Sequence, residues 1–425
     1  MSSGAGNRRR VAVIGAGVSG LTAAYLLART DEVTLFEAQN RLGGHAHTHD
    51  VASADGGRLA LDSGFLVYNQ RTYPLLTRLL AELGVTSQLS EMSMSVRCSE
   101  CGLQYAGSRG PGGVLAGFGR GGSQYLRLLG QMLRFHRAAR ALLEYDDGAQ
   151  PTLGTFLTAG GFSDYFRNHF ALPFVAAVWS CAPGTALSYP ARYLFEFLDN
   201  HGLLSVRGSP RWLTVAGGSA TYVRRIAQQL ADVRPGVPVR AVRRFPGGAE
   251  VSDAAGQVSE YDAVVIATHP DQALALLADP TALERSVLGA FRYSRSAVLL
   301  HTDPAPLPTS RRLRSSWNYL LRSCSAAEAG VQVSYYLNRL QRLGPGEDDY
   351  IVTLNGSSQV RRDLVLRSMS YQHPVYDPAS VAAQRRLPDL NDGVTAYAGA
   401  YHGWGFHEDG CRSGMQAARS LGARW

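Results

Sequence analysis

The segment RLGGHAHTHD places three histidines at alternate positions, His45, His47 and His49. Side chains alternate between the two faces of an extended strand, so we expect all three imidazoles on one face. Imidazole nitrogens bind transition metals and also exchange protons near neutral pH. The spacing therefore suits either a metal site or an acid/base group. The preceding pair, Gly43 and Gly44, lets the backbone approach a flat ligand closely.

A glycine-rich turn near the start of the chain indicates nucleotide binding. Gly15, Gly17 and Gly20 form GxGxxG between a β-branched strand, RRVAVI, and an apolar helix. The first glycine allows a tight turn, the second lets the backbone approach a pyrophosphate, and the third lets the helix pack on the strand. The next strand, EVTLFEA, contains Glu37 where an acid binds a ribose hydroxyl. The pattern predicts a dinucleotide, FAD or NAD rather than NADP.

The five cysteines offer another kind of chemistry. Cys98 and Cys101 form a CxxC pair, whereas Cys181, Cys324 and Cys411 are scattered along the sequence. A zinc site needs a second pair of ligands beside the first. The CxxC pair is therefore interpreted as a structural hairpin, with a redox-active pair and a metal site as alternatives. No metal site is predicted.

The composition limits the classes of function. The chain has 425 residues, of which 45% are hydrophobic, so it can bury a sizeable core and is expected to form two domains. All 42 basic residues are arginine, which excludes lysine Schiff bases. The chain has no apolar run of about 18 residues and no nucleic-acid reader motif. We expect a cytoplasmic protein that neither spans a membrane nor binds nucleic acid, and the few cysteines agree with a reducing compartment.

The residues after Glu37 resemble a known family. RLGG matches the RxGG element, here Arg41, Gly43 and Gly44, of the flavin-containing amine oxidoreductase superfamily, which includes amine oxidases, protoporphyrinogen oxidases and phytoene desaturases. In that superfamily the element lies along FAD, and LDSGFLVYNQRTYP resembles the next flavin-lining segment. The resemblance implies that FAD is the cofactor and that His45 faces the flavin. This role disfavours a metal site at the three histidines.

The end of the chain resembles the strand, loop and helix with which the same superfamily closes. TAYAGA is predicted to be the strand, and the helix is predicted from Glu408 onward, with its N-terminus toward the flavin. Two features differ from the superfamily pattern. Ala400 and Tyr401 stand where an acid usually follows the AG pair, and Phe406 stands where amine oxidases carry a tyrosine of the aromatic cage. Typical amine oxidases also hold a water with a lysine, which this chain lacks, so simple amine oxidation is disfavoured.

The resemblance implies two sets of site residues. The cofactor-binding set comprises Gly15, Gly17, Val18, Ser19, Gly20, Glu37, Ala38, Arg41, Gly43, Gly44, His45, Ser63, Gly64, Phe65, Val239, Ala267, Thr268, Gly399, Ala400, Phe406, His407 and Glu408. The catalytic candidates are His45, Tyr68, His402 and His407 as acid/base groups and Phe406 as a wall over the flavin.

Several short stretches indicate a narrower relationship. GGHAHTHD, FLVYNQRTYP, NHGLL, TVAGGSATYV, AVVIATHPDQALALLADP, HPVYD and AYHGWGFHEDG together resemble a bacterial subgroup described as NAD/FAD-binding proteins or FAD-dependent oxidoreductases. Genes of that subgroup often lie beside fatty-acid methyltransferases of the cyclopropane-synthase type. The resemblance implies hydride transfer between an apolar fatty-acyl or phospholipid substrate and flavin N5, by a dehydrogenase, desaturase or isomerase. The alternatives are an amine oxidase that releases hydrogen peroxide and a flavin-binding scaffold or redox partner without turnover.

These motifs require an α/β fold in which a Rossmann-type, glutathione-reductase-like FAD domain is interleaved with an α+β substrate domain. We predict the FAD domain at 8–85, 205–285 and 390–425, and the substrate domain at 86–204 and 286–389. The stretches VSYYLNRL, YIVTLN and LVLRSMSYQHP are expected to be strands of a sheet that roofs the flavin and forms an apolar cleft.

Two segments of the substrate domain carry further predictions. In the helix predicted over SQYLRLLGQMLRFHRAARALLEY, one side holds Leu126, Leu129, Met132, Leu133 and His136, and the other holds Arg127, Arg134 and Arg137. The arginine side is interpreted as a solvated face, with peripheral docking on anionic lipid as the sharper hypothesis. The glycine-rich stretch 107–122 follows no apolar strand, so it is predicted to be a mobile loop over the cleft and not a second dinucleotide motif.

Overall fold

The secondary structure comes from a computed structural model, which describes residues 8–53, 56–107, 110–118, 122–145, 150–179, 181–204, 209–325, 332–344, 348–356 and 358–425. The strands are β1 (Arg10–Ile14), β2 (Glu32–Glu37), β3 (Thr48–Ala52), β4 (Arg58–Asp62), β5 (Tyr68–Asn69), β6 (Ser87–Leu89), β7 (Met94–Cys98), β8 (Gln104–Tyr105), β9 (Trp212–Val215), β10 (Asp232–Pro235), β11 (Val239–Phe245), β12 (Gly248–Asp253), β13 (Val258–Tyr261), β14 (Ala263–Ile266), β15 (Arg292–His301), β16 (Trp317–Leu321), β17 (Val333–Tyr336), β18 (Ile351–Leu354), β19 (Val365–Val375) and β20 (Thr395–Tyr397).

The α-helices are α1 (Val18–Leu27), α2 (Pro74–Glu82), α3 (Gly110–Leu115), α4 (Gly122–Glu144), α5 (Leu153–Ala159), α6 (Asp164–Phe166), α7 (Leu172–Trp179), α8 (Pro183–Ser188), α9 (Ala191–Asn200), α10 (Ala220–Ala227), α11 (Pro270–Leu276), α12 (Ala282–Leu288), α13 (Leu337–Leu340), α14 (Pro378–Gln384) and α15 (His407–Ser420). A π-helical turn, Arg167–Ala171, joins α6 to α7, and short 3-10 turns include Ala116–Phe118 and Ala400–His402. In the part of the chain that is described, no helix is both long enough and apolar enough to cross a membrane.

A five-stranded parallel sheet of order β10-β2-β1-β14-β20 forms the nucleotide-binding core. β1 pairs with β2 on one side and with β14 on the other. Every residue of β1 after Arg10 is buried, because a parallel sheet covered on both faces leaves no position open to water. β14 and β20, which come from later parts of the chain, complete the sheet, and β20 is the strand predicted at TAYAGA. The prediction of an α/β fold with a Rossmann-type sheet is confirmed.

Of two further sheets, one contains strands that were predicted. β11, β12 and β13 form a small antiparallel sheet beside the core. A seven-stranded mixed sheet of order β19-β15-β18-β17-β16-β7-β8, here called the roof sheet, contains the three stretches that were expected to roof the flavin. They form β17 with α13, β18 and β19. The division of the chain into two domains at the stated boundaries stays a prediction.

The helices between β8 and β9 pack around aromatic side chains. Phe135 of α4 makes edge-on contacts with Phe156 and Phe195, at ring-centroid distances of 6.0 and 5.5 Å. These contacts combine burial of large apolar surfaces with the ring geometry that aromatic pairs prefer. After β8, the first part of the predicted substrate domain is helical, and it includes the helix predicted over SQYLRLLGQMLRFHRAARALLEY as α4.

The predicted apolar face of α4 is wrong for two of its residues, Leu126 and Leu133, whereas Leu129, Met132 and His136 are partly buried and the three arginines are exposed. Its buried residues are Tyr125, Leu128, Phe135 and Ala139. Leu126 and Leu133 are 57% and 51% exposed, although they were expected on the apolar side. At about 100° per residue, both lie within a narrow stripe that also contains Arg137. The reason is that the stripe with Tyr125, Leu128, Phe135 and Ala139 meets the core, so Leu126 and Leu133, on the opposite side, face outward beside Arg137.

The glycine-rich stretch 107–122 is helical where it is described, in α3 and the 3-10 turn Ala116–Phe118. A Cβ atom at Gly117 would lie 2.2 Å from Cζ of Tyr125, so the glycine lets this buried ring pack against the turn. The predicted loop is therefore wrong for 110–118. Residues 108–109 and 119–121 lie outside the described part of the chain.

A carboxylate joins the last helix to α2. Glu408 of α15 accepts hydrogen bonds from the backbone N–H groups of Leu75 and Leu76, at 3.1 and 3.0 Å. Tyr73, which precedes α2, provides no side-chain cap, so Glu408 satisfies the free amides of that helix end. Burial raises the pKa of this carboxyl group. The structure corrects the expectation that Glu408 binds FAD, because its carboxylate faces α2.

Replacement of Glu408 is expected to weaken the fold while FAD remains bound. Glu408→Ala leaves two backbone amides without an acceptor, so the free energy of unfolding should fall by about 1–3 kcal/mol. Glu408→Gln keeps one acceptor oxygen and should lose less. Urea unfolding and the flavin absorbance measure the two effects. Glu32→Ala, at an exposed position, is the control. Loss of FAD at unchanged stability would contradict this role.

Candidate functional site

A cleft of about 890 Å³ is lined by loops at the carboxyl ends of the parallel strands, by the roof sheet and by the helices between β8 and β9, which we call the helical layer. Its volume lies at the upper end of the range for ligand cavities. The carboxyl edge of a parallel sheet is also where doubly wound folds bind nucleotides. The position of the cleft therefore agrees with the motifs that follow β1 and β2.

The first glycine turn borders this cleft. Gly17 precedes α1 with φ −70° and ψ 177° and offers no side-chain cap, so the first amides of the helix are left for a ligand such as a phosphate. A Cβ atom at Gly17 would meet nothing within 4 Å. A Cβ atom at Gly20 would lie 1.9 Å from the carbonyl oxygen of Gly15. Gly17 therefore faces open space, whereas Gly20 packs the helix on the turn and does not line the cleft.

Glu37 lies at the end of β2, on the nucleotide side of the cleft. Its carboxylate oxygens accept hydrogen bonds from the backbone N–H groups of Ala16 at 2.9 Å and Gln39 at 2.8 Å. These bonds hold the carboxylate where the fold places a ribose. Arg41 donates to the carbonyl oxygen of Gly44 at 2.8 Å and so shapes the RxGG loop.

The three histidines do not share one strand face, because β3 begins only at Thr48. His45 lies in the preceding loop and lines the cleft. Burial is the main cause that lowers the pKa of His45 well below its usual value, and the neighbouring His373 lowers it further. Its Nε2 atom is buried and has no hydrogen-bond partner among the described residues. His45 is therefore neutral at pH 7 and presents an unpaired nitrogen.

The other two histidines are structural. Nδ1 of His47 lies 2.9 Å from the hydroxyl oxygen of Tyr371, and Nε2 of His49 lies 2.8 Å from Oγ of Ser63. The two imidazole rings are 4.0 Å apart. Burial lowers the pKa of His47 to about 3 and that of His49 to about 4. The positions predicted as possible metal ligands thus join the loop to the roof sheet through hydrogen bonds.

β19 supplies polar residues that the sequence reasoning missed. Tyr371 and His373 line the cleft, and their rings lie 5.0 and 5.3 Å from the ring of His45. The hydroxyl oxygen of Tyr371 lies 2.5 Å from Oγ of Ser63. Burial lowers the pKa of His373 to about 4, and its Nδ1 has no partner within the described ranges. The alternation in LVLRSMSYQHP, which puts positions 371 and 373 on one face, could have identified both residues.

Four aromatic side chains line another part of the cleft, and we call them the aromatic wall: Trp179, Phe197, Trp404 and Phe406. The rings of Phe197 and Phe406 are stacked at 4.6 Å, and the ring of Trp179 lies 4.7 Å from that of Phe197. Only Phe406 was predicted. Trp179 ends α7 and Phe197 lies in α9, and nothing local to those helices indicates that they meet the C-terminal loop.

His407 begins α15 and also lines the cleft. Its ring stacks on Phe65 at 3.7 Å, and its Nε2 lies 3.3 Å from the hydroxyl oxygen of Tyr222. Burial lowers the pKa of His407 to about 3, so this imidazole is neutral at pH 7. The backbone N–H of Phe406 donates to Asp409 at 3.0 Å, which caps the helix beside the cleft.

Three other predicted site residues lie outside the cleft lining. The hydroxyl group of Tyr68 is hydrogen-bonded to Oγ of Ser87. His402 lies in the 3-10 turn after β20, with its ring 4.7 Å from that of Tyr401. Ser63 bonds His49 and Tyr371 from behind the loop. Each of these groups is held by the protein's own packing, so the structure does not support a catalytic role for Tyr68 or His402.

The remaining predicted residues line the cleft together. They are Gly15, Gly17, Val18, Ser19, Glu37, Ala38, Arg41, Gly43, Gly44, His45, Gly64, Phe65, Val239, Ala267, Thr268, Gly399, Ala400, Phe406 and His407. They come from α1, β2, β11 and α15 and from the segments that follow β1, β2, β4, β14 and β20. The fold thus brings together most of the residues that the motifs selected.

Sequence comparisons relate the chain to flavoenzymes. A family model described as flavin containing amine oxidoreductase matches residues 18–311. The chain is 64% identical to tryptophan 2-monooxygenase of Allorhizobium ampelinum over 42 residues, which is 9% of this chain and 6% of that protein. It is 45% identical to protoporphyrinogen oxidase of Saccharomyces cerevisiae over 60 residues, 13% of this chain and 11% of that protein. The matched stretches thus span only a small part of these relatives.

Solved structures show the same fold over nearly the whole chain. Putrescine oxidase bound to putrescine matches with a TM-score of 0.68 at 17% identity, covering 98% of this chain and 99% of that one. Cyclohexylamine oxidase from Brevibacterium oxydans matches with 0.67 at 17%, covering 97% and 98%. A CLA-producing fatty acid isomerase from P. acnes matches with 0.67 at 17%, covering 97% and 99%. At such identities the likeness shows the fold alone.

The residues that line the cleft fit FAD. Gly17 leaves open space in front of uncapped helix amides, which suits a pyrophosphate. Glu37 is held by two backbone amides at the position of a ribose-binding acid. His45 and His373 add buried nitrogens without partners among the described residues to the lining of the same cleft. FAD is therefore the cofactor that both the family and this geometry indicate.

Two glycine substitutions should separate cofactor binding from folding. Gly17→Ala adds a methyl group in open space, so apoprotein stability should not change while the FAD dissociation constant rises about tenfold or more, equivalent to ~1.4 kcal/mol. Gly20→Ala should instead destabilise the apoprotein, because its Cβ would overlap the carbonyl oxygen of Gly15. Calorimetric titration with FAD and thermal unfolding of the apoprotein measure both effects. Equal FAD affinity of wild type and Gly17→Ala would exclude this binding mode.

Proposed function

The chain belongs to the flavin-containing amine oxidoreductase family, and we propose that it is a member that acts on apolar acyl chains. One observation carries the proposal. Among the described residues that line the cleft, Glu37 is the only one with a carboxylate, and it lies on the nucleotide side. An amine substrate is a cation at neutral pH and gains from a facing carboxylate, whereas an acyl chain needs apolar walls.

The walls of the cleft support an apolar substrate. Beside the aromatic wall, the lining includes Leu66, Val67, Met92, Val178 and Leu203. Burying apolar substrate surface against such side chains is favourable by roughly 25 cal/mol per Å². A long hydrocarbon chain therefore gains much more from this lining than a small polar amine does.

The electrostatics of the cleft support the same substrate class. Burial lowers the pKa values of His45, His373 and His407, so these imidazoles are neutral at pH 7. A neutral imidazole repels a cationic amine less than an imidazolium does. However, this part of the described lining contains no carboxylate that would attract the amine. The imidazoles thus add no charge to a lining whose charged members, among the described residues, are Glu37, Arg41 and Arg295. Neutral imidazoles beside apolar walls suit an uncharged reacting chain.

FAD, when bound, supplies hydride chemistry at its N5 atom and passes electrons to an acceptor. The chain's own residues bind the substrate and manage the proton. Phe197 and Phe406, stacked at 4.6 Å, exclude water and orient an apolar chain. His45 is our candidate acid/base group, because it lines the cleft and its unpaired Nε2 can hold a proton removed from a substrate carbon. His373 is the second candidate, for the same reasons.

Amine oxidation is the alternative within the family. Putrescine oxidase and cyclohexylamine oxidase share the fold, but so does a fatty acid isomerase at the same identity. The chain contains no lysine, and phenylalanine replaces the tyrosine that is expected in the aromatic cage. These features favour the acyl substrate. A flavin-binding scaffold without turnover is a further alternative, and the experiment below includes it.

The decisive experiment compares acyl chains with amines as substrates of the FAD-loaded protein. Copurifying lipid, unsaturated fatty acids and phospholipids should reduce the flavin anaerobically, or should show a moved double bond by gas chromatography and mass spectrometry. Primary amines should neither bleach the flavin nor release hydrogen peroxide in air. Turnover of amines alone would contradict the proposal. An inert flavin with every substrate would favour the scaffold.

A variant of the aromatic wall should change turnover of the active acyl substrate. Phe406→Ala removes a large apolar contact beside the reacting chain, so kcat/KM should fall about tenfold or more. Phe245→Ala is the matched control, because Phe245 is 39% exposed and does not line the cleft. Equal losses in both variants would indicate a general effect on folding.

We also propose that the protein collects its substrate at an anionic membrane surface. Leu126 and Leu133 are the exposed apolar residues of α4, and Arg127 and Arg137 lie beside them. A helix face that combines apolar and basic side chains is typical of peripheral attachment to anionic lipid. The exposure of these leucines beside arginines strengthens the hypothesis, because apolar and basic side chains share one surface of α4.

Vesicle sedimentation tests the membrane proposal. Phosphatidylglycerol vesicles should bind the protein, phosphatidylcholine vesicles should not, and added salt should weaken the binding. The double substitution R127E/R137E should weaken binding by about fivefold per arginine, equivalent to ~1 kcal/mol each. Val258→Glu, at a position 56% exposed on β13, is the control and should have no effect. Indifference to the lipid charge would exclude this surface.

A further inference from the structure

Four side chains that bind metals in other proteins meet outside the cleft. Sγ of Cys98, Cys101 and Cys324 and Nε2 of His169 all lie within 4.8 Å of one another. None of these residues lines the cleft. The sequence reasoning treated Cys324 as scattered, but the fold brings it next to the CxxC pair. The proposed function uses none of the four, so the cluster requires its own explanation.

The distances in the cluster match a tetrahedral site. Sγ of Cys98 and Sγ of Cys324 are 3.8 Å apart, and Sγ of Cys101 lies 3.6 Å from Nε2 of His169. A tetrahedral zinc ion with Zn–S of about 2.3 Å and Zn–N of about 2.0–2.1 Å has ligand–ligand edges of about 3.8 Å for S–S and about 3.6 Å for S–N. We propose that these four residues bind one zinc ion.

The orientation of His169 fits a metal ligand. Its Nδ1 lies 3.0 Å from the carbonyl oxygen of Tyr165, to which it can donate, and this leaves the lone pair of Nε2 toward the three sulfurs. Metal-binding histidines are usually oriented by such a second hydrogen bond. The ring of Tyr165 stacks on the imidazole ring of His169, with the ring centroids 4.1 Å apart. His169 belongs to the π-helical turn Arg167–Ala171, and such turns are frequent at functional sites.

The CxxC turn fits the same role. β7 ends at Cys98, whose backbone N–H donates to the carbonyl oxygen of Leu103 at 2.8 Å. Gly102 follows with φ +73°, and its N–H donates to the carbonyl oxygen of Cys98 at 3.1 Å. A tight turn between Cys98 and Cys101 is suited to hold two thiolates on one ion.

The loop that carries Cys324 is positioned by other residues of the cluster region. The backbone N–H of Cys324 donates to the carboxylate of Glu100 at 2.7 Å, and its carbonyl oxygen accepts from the side-chain amide of Asn168 at 2.8 Å. The N–H of Ser99 donates to the carbonyl oxygen of Leu321 at 2.9 Å. The third thiol is thus held near the other ligands by hydrogen bonds that do not involve sulfur.

The ligand set indicates the kind of site. Three sulfurs and one imidazole nitrogen favour zinc over magnesium or calcium, which prefer oxygen. Four protein ligands leave no open position, so the ion has a structural role. It would join the β7–β8 hairpin and the loop after β16 to the π-helical turn, and so fasten the roof sheet to the helical layer. A disulfide between two of the cysteines is the alternative to a bound metal. It would require two sulfurs about 2.05 Å apart, whereas those of Cys98 and Cys324 are 3.8 Å apart.

Metal analysis of the FAD-loaded protein tests the proposal. Protein expressed in zinc-supplemented medium should contain one zinc per chain by plasma mass spectrometry. X-ray absorption at the zinc edge should show three sulfur ligands and one nitrogen ligand. Cys101→Ser and Cys324→Ser should each lose most of the zinc and lower the melting temperature. Cys181→Ala should keep the metal, since Cys181 is buried outside the cluster.

A second measurement covers variants that fail to fold. Wild-type protein in which cobalt replaces the native metal should show, in difference spectra, the absorption bands of tetrahedral cobalt bound by thiolates. Zinc-free protein that takes up neither zinc nor cobalt would overturn the proposal. A Cys98–Cys324 disulfide found by mass spectrometry in freshly purified protein, or full zinc content in Cys324→Ser, would overturn it as well. None of these results depends on the substrate of the cleft.

Discussion

The close packing of α1 between the first glycine turn and α15 is the constraint on which the rest of the structure depends. A Cβ atom at Gly20 would lie 1.9 Å from the carbonyl oxygen of Gly15, and one at Gly414 would lie 2.2 Å from the carbonyl oxygen of Ser19. Backbone therefore meets backbone on both sides of α1, at distances that exclude any side chain. As a result, helices from the two ends of the chain begin at the same cleft, where Gly17 and His407 both contribute to the lining.

The cleft carries a fixed carboxylate at one part and neutral imidazoles at another, and burial is the cause of the neutral state of the imidazoles. The carboxylate of Glu37 is fixed beside the glycine turn by two backbone amides. Beyond it, desolvation keeps His45 and His407 neutral, and the aromatic wall follows. A cofactor with charged phosphates and an apolar substrate would each meet matching surroundings. Phe406, in place of the tyrosine expected from the family pattern, and the absence of lysine further reduce the number of polar side chains available to this part of the cleft.

The roof sheet connects the cleft to the cysteine–histidine cluster. β19, at one edge, places Tyr371 and His373 over the cleft, and β7, near the other edge, ends at Cys98 in the cluster. Hydrogen bonds between neighbouring strands run continuously from one to the other. A fastening at the β7 side therefore bears on the stability of the sheet that covers the cleft. This arrangement gives a physical reason why the zinc ion that we propose would lie away from the cleft.

The sequence by itself determined the sheet of the nucleotide core, the cofactor class and most of the residues that line the cleft. Local spacing, such as the glycines around Gly17 and the acid at Glu37, predicted the sheet and a bound dinucleotide. The resemblance to a known family implied FAD and most of the lining residues. Only the tertiary structure decided which distant residues meet. Glu408 caps a helix 333 positions away, His47 bonds Tyr371 over 324 positions, and Cys98 meets Cys324 over 226. No local period encodes such contacts, because they arise when separate elements are packed together, and the same packing turned two leucines of α4 outward.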